Sequence, residues 1–491
     1  MSEKKTGLKR QLSPSHVWAL AFGCVIGWGS FINPGKKFLP NSGVAGTAIA
    51  MALGAAVMIV IAFSYAYMVP KYPRAGGEFI FTKACFGKFP AYICGWFLVA
   101  AYLTNVPMNS TAIGLIVDGL DGPLDILKWG FHYQIAGFDV WAGEMFLAMG
   151  ILVLFGILNI LGVEKAGVIQ TILAALLGGS VLILTIAALV SSKATLANMD
   201  PWWGFNKAEA MAALEDGTYI SADAFAHSGS AGIASAILAT FSIAPWAFVG
   251  FDTIPQAAEE FKFPYKKVSL IMVVAILFGC YVYIANNTIA AAALGKWPDL
   301  IVESSATPWL LLTAAERLLG TPGKLLVGTA VSSAVLSGIM GFYLASSRLM
   351  YSMSRDGYLP KWFGIIDKKH GTPKNALVFC ILISLSGPVL GREALGWFVD
   401  MSSIGASIGF FFTCACSIVT MNRDGDGTPF LKGVSWFGAI ASMLFILLQL
   451  VPIPGLDGVH FCMESYILLI VWIALGIVFY MRQRKFFQSE N

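Results

Sequence analysis

The chain has 491 residues, of which 57% are hydrophobic and only 12% charged, about half the charged share of a soluble globular domain. Its mean hydropathy is +0.73 and its apolar residues fall in long runs rather than alternating, which excludes a disordered chain, a secreted disulfide scaffold and an outer-membrane barrel. The net charge is only +4, so nucleic-acid binding has no support, and what is left is an all-α polytopic membrane protein.

A spanning helix takes about 20 apolar residues, and twelve candidates follow in chain order: 15–34, 44–69, 90–119, 141–160, 166–191, 233–254, 267–295, 324–352, 375–391, 396–421, 432–451 and 463–482. The polar, basic stretch 1–15 runs into the first span without a small-residue cleavage site, which predicts a retained span rather than a cleaved signal. Placing both termini in the cytoplasm puts most of the 32 Lys and Arg on that face, as the positive-inside rule requires. The expectation is a multi-pass protein of the plasma (inner) membrane, its basic face turned to anionic lipid. The loops are short except for 192–232, a polar stretch with the doublet Trp202-Trp203. It reads as a passive connector with interfacial tryptophans, the alternative being a cover over an outer vestibule.

Two spans are interrupted. The first carries Gly23, Gly27 and Gly29 and then Pro34-Gly35; the sixth has Pro245 and Pro255 on either side of Gly250. Both are predicted to unwind at membrane depth, where free backbone groups are tolerated only if buried in protein or lining a wet cavity. Freed amides at the N-terminal end of a half-helix suit an anion, and freed carbonyls suit a cation or an ammonium. An amino acid zwitterion fits this combination. The alternative is that the glycines only allow close helix packing.

The stretch Gly23 to Gly35 resembles the first-span signature G-x-x-I-G-x-G-x-F-x-x-P-G of the amino acid–polyamine–organocation transporter superfamily, and Trp246 to Asp252, followed by Ala258-Glu259-Glu260, is similar to its sixth-span pattern. Tyr72-Pro73-Arg74-Ala75-Gly76-Gly77-Glu78 and the run from Ser347 to Gly357 match further motifs. The resemblance implies a leucine-transporter-type fold: inverted repeats of five helices each at 15–191 and 233–421, peripheral helices at 422–482, and terminal tails at 1–14 and 483–491. It also implies a secondary active transporter that imports an amino acid or small amine-bearing solute by alternating access, or alternatively an obligate exchanger. The implied substrate site comprises the amides around Gly27, Trp28, Gly29 and Ser30 for a carboxylate and the carbonyls around Ala247, Phe248 and Val249 for an amine, with Ile26 and Phe251 beside them. Trp246 matches the family's aromatic gate, its alternative being a core aromatic.

The chain departs from the family pattern at two places. Trp28 stands where a small residue is usual; the indole has three readings, shrinking the site, offering a π-face to an amine, or packing away from it. The lysine that many proton-coupled members carry in span five is absent: its position falls on Leu177 or Gly178, and no Lys or Arg occurs from 166 to 192. Ser333 and Ser337, one turn apart on span eight, together with first-span carbonyls near Cys24 and Gly27, could hold sodium, a cation that prefers oxygen. Their alternative is helix packing. The coupling ion is thus sodium or a proton, the third reading being obligate exchange without an ion, and no cofactor is implied.

Asn105 and Asn109, spaced i, i+4 on span three, are expected at the site or between helices; Asn286, Asn287, Ser402, Ser403 and Ser407 are weaker candidates. Asp252 reads as a proton-sensitive gate latch or, in preference, as paired with a nearby Lys or Arg, because Glu259, Glu260, Lys262, Lys266 and Lys267 follow it. An ion channel would need rings of charge or carbonyls along a pore. An enzyme would need convergent catalytic residues, whereas the histidines at 16, 132, 227, 370 and 460 sit in loops or at span ends. The eight cysteines show no metal-ligand spacing and read as free thiols. Oligomeric state is not legible.

Overall fold

The computed structural model describes residues 8–119, 125–135, 138–303, 309–391, 394–453 and 460–483. Half of the expected N-terminal tail, 1–7, and nearly all of the C-terminal one, 484–491, lie outside them. Among the described residues, nine of the twelve expected spans are helices long and apolar enough to cross a membrane. The other three positions hold shorter apolar helices, Pro14–Val25, Gly229–Phe241 and Lys374–Leu390. The protein is therefore a multi-pass helical membrane protein.

The centre of the bundle is formed by Lys88–Gly119, which packs against both Thr321–Arg355 and Ala394–Asp424, all three being largely buried. Close approach rests on small residues. A methyl group at Gly405 would lie 2.3 Å from the carbonyl oxygen of Phe97, and one at Gly409 would meet Leu98 at 2.6 Å. Hydroxyl pairs add polar contacts: Ser435 lies 3.0 Å from Ser64 and 3.1 Å from Ser417, joining three helices. The last helix, Met463–Arg482, sits at the rim and presents Ile467, Ile470, Ile477 and Val478 outward. Lipid supplies no hydrophobic drive to hold such a helix. Two reciprocal bonds do so instead, Trp96 Nε1 to the Trp472 carbonyl (3.0 Å) and Trp472 Nε1 to the Trp96 carbonyl (3.2 Å).

The first broken segment starts with Ser13, whose side chain accepts from the His16 amide and caps Pro14–Val25. Helix ends at Val25, resumes at Gly29–Asn33, passes through a π-helical turn at Pro34–Phe38 and continues as Leu39–Lys71. The second runs from Gly229–Phe241 into the single turn Ala244–Ala247, and then into 3-10 turns at Phe251–Thr253 and Pro255–Glu260. Pro245 and Pro255 each lack a donor for a continuous ladder. Gly250 has φ +139°, a conformation open to glycine almost alone.

The segment 192–232 is not a passive connector. It forms short helical pieces at Leu196–Met199, Lys207–Glu215 and Ala222–Phe225 and docks on the far end of the first broken segment. Phe205 N donates to the Pro40 carbonyl (2.8 Å) and Ala45 N to that of Trp202 (2.9 Å). Asp299 anchors its other side by accepting from Tyr219 Oη (2.6 Å) and Ala222 N (2.9 Å). A cavity of about 420 Å³ under it is lined by Ala45, Asp200, Trp202, Trp203, Asp223 and His227 among others.

Candidate functional site

The two breaks touch. A methyl group at Gly250 would lie 2.5 Å from the Val25 nitrogen, and one at Gly29 would lie 2.4 Å from Cη2 of Trp246. Only glycine permits either approach. The Trp28 and Trp246 indoles meet across the gap with ring centroids 6.0 Å apart and planes inclined by 54°; both are buried. Trp28 thus lies at the break and against the expected gate. Its Nε1 is buried without a hydrogen-bond partner.

Backbone hydrogen bonding differs across the gap. After Ile26, whose amide still reaches the Phe22 carbonyl, the next amide with an acceptor is that of Ser30, which donates to Gly27 O at 3.3 Å. Among the described residues, the N–H groups of Gly27, Trp28 and Gly29 have none. At the second break the amides of Ala247, Phe248 and Val249 are bonded, to Ile243, Ala244 and Trp246, while their own carbonyls accept no hydrogen bond among the described residues. Three free donors in the first break and three free acceptors in the second therefore fall on residues the sequence singled out. Buried backbone groups rarely go unpaired.

The remaining predicted residues separate into two groups. Asn109 lies near the first break, its Oδ1 4.0 Å from where a methyl at Gly27 would sit and without a donor of its own. Ser30 turns inward to its own segment, Oγ donating to Gly27 O at 3.0 Å. Asn286 holds the outer half of that segment, Nδ2 to Ser30 O at 3.0 Å, and Asn287 reaches Gly43 O at 3.2 Å. Asn105 faces away, bonding to Ser402 Oγ at 2.6 Å, so it joins helices. Phe251 stacks on Phe410 with centroids 5.5 Å apart and is a packing residue, and Ile26 is fully buried.

Among the oxygens expected around a cation, Gly27 O accepts from Ser30 N and Ser30 Oγ. Ser337 Oγ reaches the carbonyls of Gly23 (3.1 Å) and Ala334 (3.0 Å), not those of Cys24 or Gly27. Gln170 Nε2 donates to the Ala19 and Ser337 carbonyls, both at 3.2 Å, and closes the space between spans one and eight. Ser333 is buried nearby on the same helix. The Gly178 position is lined by Phe22 and Phe278, an apolar surrounding, and Leu177 is fully buried.

Asp252 is not paired with a Lys or Arg. It is fully buried, with Oδ1 accepting from Gly250 N (2.7 Å) and Oδ2 from Tyr102 Oη (3.0 Å). The neighbouring cations serve the following acids: Arg348 pairs with Glu260 at 3.1 Å, both buried, and Arg355 with Glu259 at 2.7 Å. The residues that sequence reasoning missed are Glu78, Tyr65, Tyr102 and Gln256 around Asp252, and Gln170. A carboxylate in the Gly76-Gly77-Glu78 motif and a glutamine in span five were both visible as polar residues in apolar surroundings, but nothing in the sequence showed what they face.

A family model for amino acid permeases matches residues 12–479. The chain belongs to this family. Its relatives include the branched-chain amino acid permease BcaP of Bacillus subtilis (strain 168), 24% identical over 96% of this chain and 92% of its own length. The glutamate/serine transporter AimA of the same organism is 26% identical over 93% of this chain and 80% of its own. The vacuolar cationic amino acid transporter 4 of Arabidopsis thaliana is 25% identical over 86% of this chain, which spans 65% of that relative's length. Membership makes the molecule a transmembrane transport protein of permease type, and the family is not an enzymatic one.

Proposed function

We propose that the protein is a secondary active transporter that carries an α-amino acid across the membrane by alternating access. The observation that supports it best is the opposition of free amides at 27–29 to free carbonyls at 247–249. The amides, at the start of a half-helix, carry its positive end and suit a carboxylate; the carbonyls end a turn and suit an ammonium. The named substrates of the three relatives differ in their side chains, being branched-chain, acidic or hydroxylated, and cationic. They share only the α-amine and α-carboxylate, the part of the molecule that main-chain groups would hold. Trp246 covers this space and is the gate, and Trp28 borders the substrate's side chain. The repeats of five helices, rocking about this fixed site, supply the motion. Sodium held by Ser333, Ser337, Cys24 and Gly27 is the less supported coupling, because Ser337 bonds to Gly23 and Gly27 O accepts from Ser30.

A thermal-shift screen of the purified protein against amino acids, amines and betaines, with and without sodium, tests the assignment, since a ligand of the folded state raises Tm. Amino acids with free amine and carboxylate are expected to raise it, and their decarboxylated amines are not. Stabilisation by amines alone would overturn the carboxylate site. Uptake into vesicles with and without internal amino acid separates net transport from obligate exchange.

A further inference from the structure

Behind the second break lies a buried polar cluster that substrate binding does not use. Glu78, Asp252, Tyr65, Tyr102 and Gln256 are each removed from solvent. Glu78 stands on Gly77–Phe86, Tyr65 on Leu39–Lys71, Tyr102 on Lys88–Gly119, and Asp252 and Gln256 on the turns after Gly250. Tyr65 Oη donates to Glu78 Oε1 at 2.6 Å and Gln256 Nε2 to Glu78 Oε2 at 2.6 Å. The Tyr102 hydroxyl lies between the two acids, 3.3 Å from Glu78 Oε1 and 3.0 Å from Asp252 Oδ2.

The other titratable groups facing the pair are the Cys24 thiol, toward Asp252, and the Cys94 thiol, toward Glu78. Among the described residues no Lys, Arg or His bonds to either carboxyl: Arg74 and Lys83, close to Glu78 on the chain, pair with Asp356, and Arg348 and Arg355 pair with Glu260 and Glu259. Two buried carboxylates without a cation are costly, and like charges at one site do not both ionise. Tyr102 Oη also lies 3.2 Å from the Asp252 carbonyl and accepts from Gln256 Nε2 at 3.4 Å, and proton counting is compatible with the same result. A phenol has one O–H, so Tyr102 donates to one carboxyl only. The other contact is a hydrogen bond if that carboxyl carries a proton and donates to the phenol oxygen.

We propose that Glu78 and Asp252 hold one proton in common through Tyr102, and that this proton is the ion by which transport responds to a pH gradient. The proton passes from one carboxyl oxygen to Tyr102 Oη as the phenol proton passes to the other carboxylate, so the phenol is unchanged and the pair keeps a charge of −1. Loss of the proton to water leaves a charge of −2 at the edge of the second break, where Gly250 N bonds to Asp252. The pair thereby stands in for the lysine absent from span five. Only the coupling half of this proposal rests on the transport reading above.

Two measurements test it. Infrared difference spectra of the purified protein should show the carbonyl stretch of a protonated carboxyl at neutral pH, titrating away in alkali. The band should be lost in Glu78→Gln and equally in Asp252→Asn, since either change leaves one ionised acid with neutral donors. Absence of the band from the wild type, or its persistence in both variants, overturns the shared proton. In proteoliposomes, uptake of radiolabelled L-leucine, L-serine or L-arginine should change several-fold with an imposed pH gradient. The same gradient should change uptake less than about 1.5-fold in either variant, each normalised to its own counterflow. A gradient response retained in both variants overturns the coupling. Wild-type vesicles that show no counterflow of any of the three would count against the transport reading and leave the infrared result standing.

Discussion

The two breaks differ in what they expose and in what holds them open. At 26–29 a helix restarts, and its first amides are free; at 247–249 a helical turn stops, and its last carbonyls are free. The first is held by neighbours, through Asn286 on Ser30 O, Asn287 on Gly43 O and Trp309 Nε1 on Phe31 O at 3.0 Å. The second is held by its own sequence, because Asp252 folds back on the Gly250 amide and Thr253 N donates to Gly250 O at 3.1 Å. One interruption is thus set by tertiary contacts and the other by local turn chemistry. Their opposite polarity is what the proposed binding of an amino acid zwitterion draws on.

The largest effect is expected from Gly250→Ala, which attacks the locally built break. An alanine at φ +139° is strained by about 1–3 kcal/mol, and its methyl would lie 2.5 Å from the Val25 nitrogen. The variant should fail to give a monodisperse folded protein on size-exclusion chromatography. Trp246→Ala should fold and yet reduce saturable uptake at least tenfold, a loss of about 1.4 kcal/mol or more; unchanged uptake would remove Trp246 from the gate.

Gly29→Ala attacks the same contact from the first break, with its methyl 2.4 Å from the Trp246 ring. It should lower uptake several-fold and be partly rescued by Trp246→Phe, which withdraws the outer ring. A failed rescue would mean that Gly29 acts through its own backbone. Trp28→Ser should change which amino acids compete for uptake while the requirement for a carboxylate persists, and an identical competition profile would make the indole a packing residue.

The smallest effects separate the two asparagines. Asn109→Ala is expected to raise KM about two- to fivefold with little change in Tm. Asn105→Ala removes the bond to Ser402, lowering stability by about 1 kcal/mol with KM unchanged. Reversal of that pattern would exchange their roles.

Much of this site was legible because the residues that interrupt a membrane helix are few and conspicuous. Gly27, Gly29, Pro245 and Gly250 mark both breaks, and the free groups fall on the main chain of their immediate neighbours. The loop 192–232 was misjudged because its docking depends on main-chain bonds to Pro40 and Ala45, which leave no trace in side-chain chemistry. The partner of Asp252 was misjudged for another reason. Proximity in sequence suggested Lys262 or Lys266, whereas the 3-10 turns at 251–260 point Asp252 into the bundle and pass the arginines of Thr321–Arg355 to Glu259 and Glu260.

Sequence by itself determined a multi-pass helical protein with two helices that cannot run unbroken, because hydropathy and the backbone limits of glycine and proline act locally. Only the tertiary structure decided that Trp28 meets Trp246, that Asn105 serves Ser402 while Asn109 nears the break, and that Gln170 bridges the first and eighth spans through the Ala19 and Ser337 carbonyls. It also brought Glu78 to the carboxylate of Asp252, 174 positions further along the chain. Contacts of that kind depend on how helices rotate and cross, and no local pattern encodes which face of one helix meets which face of another.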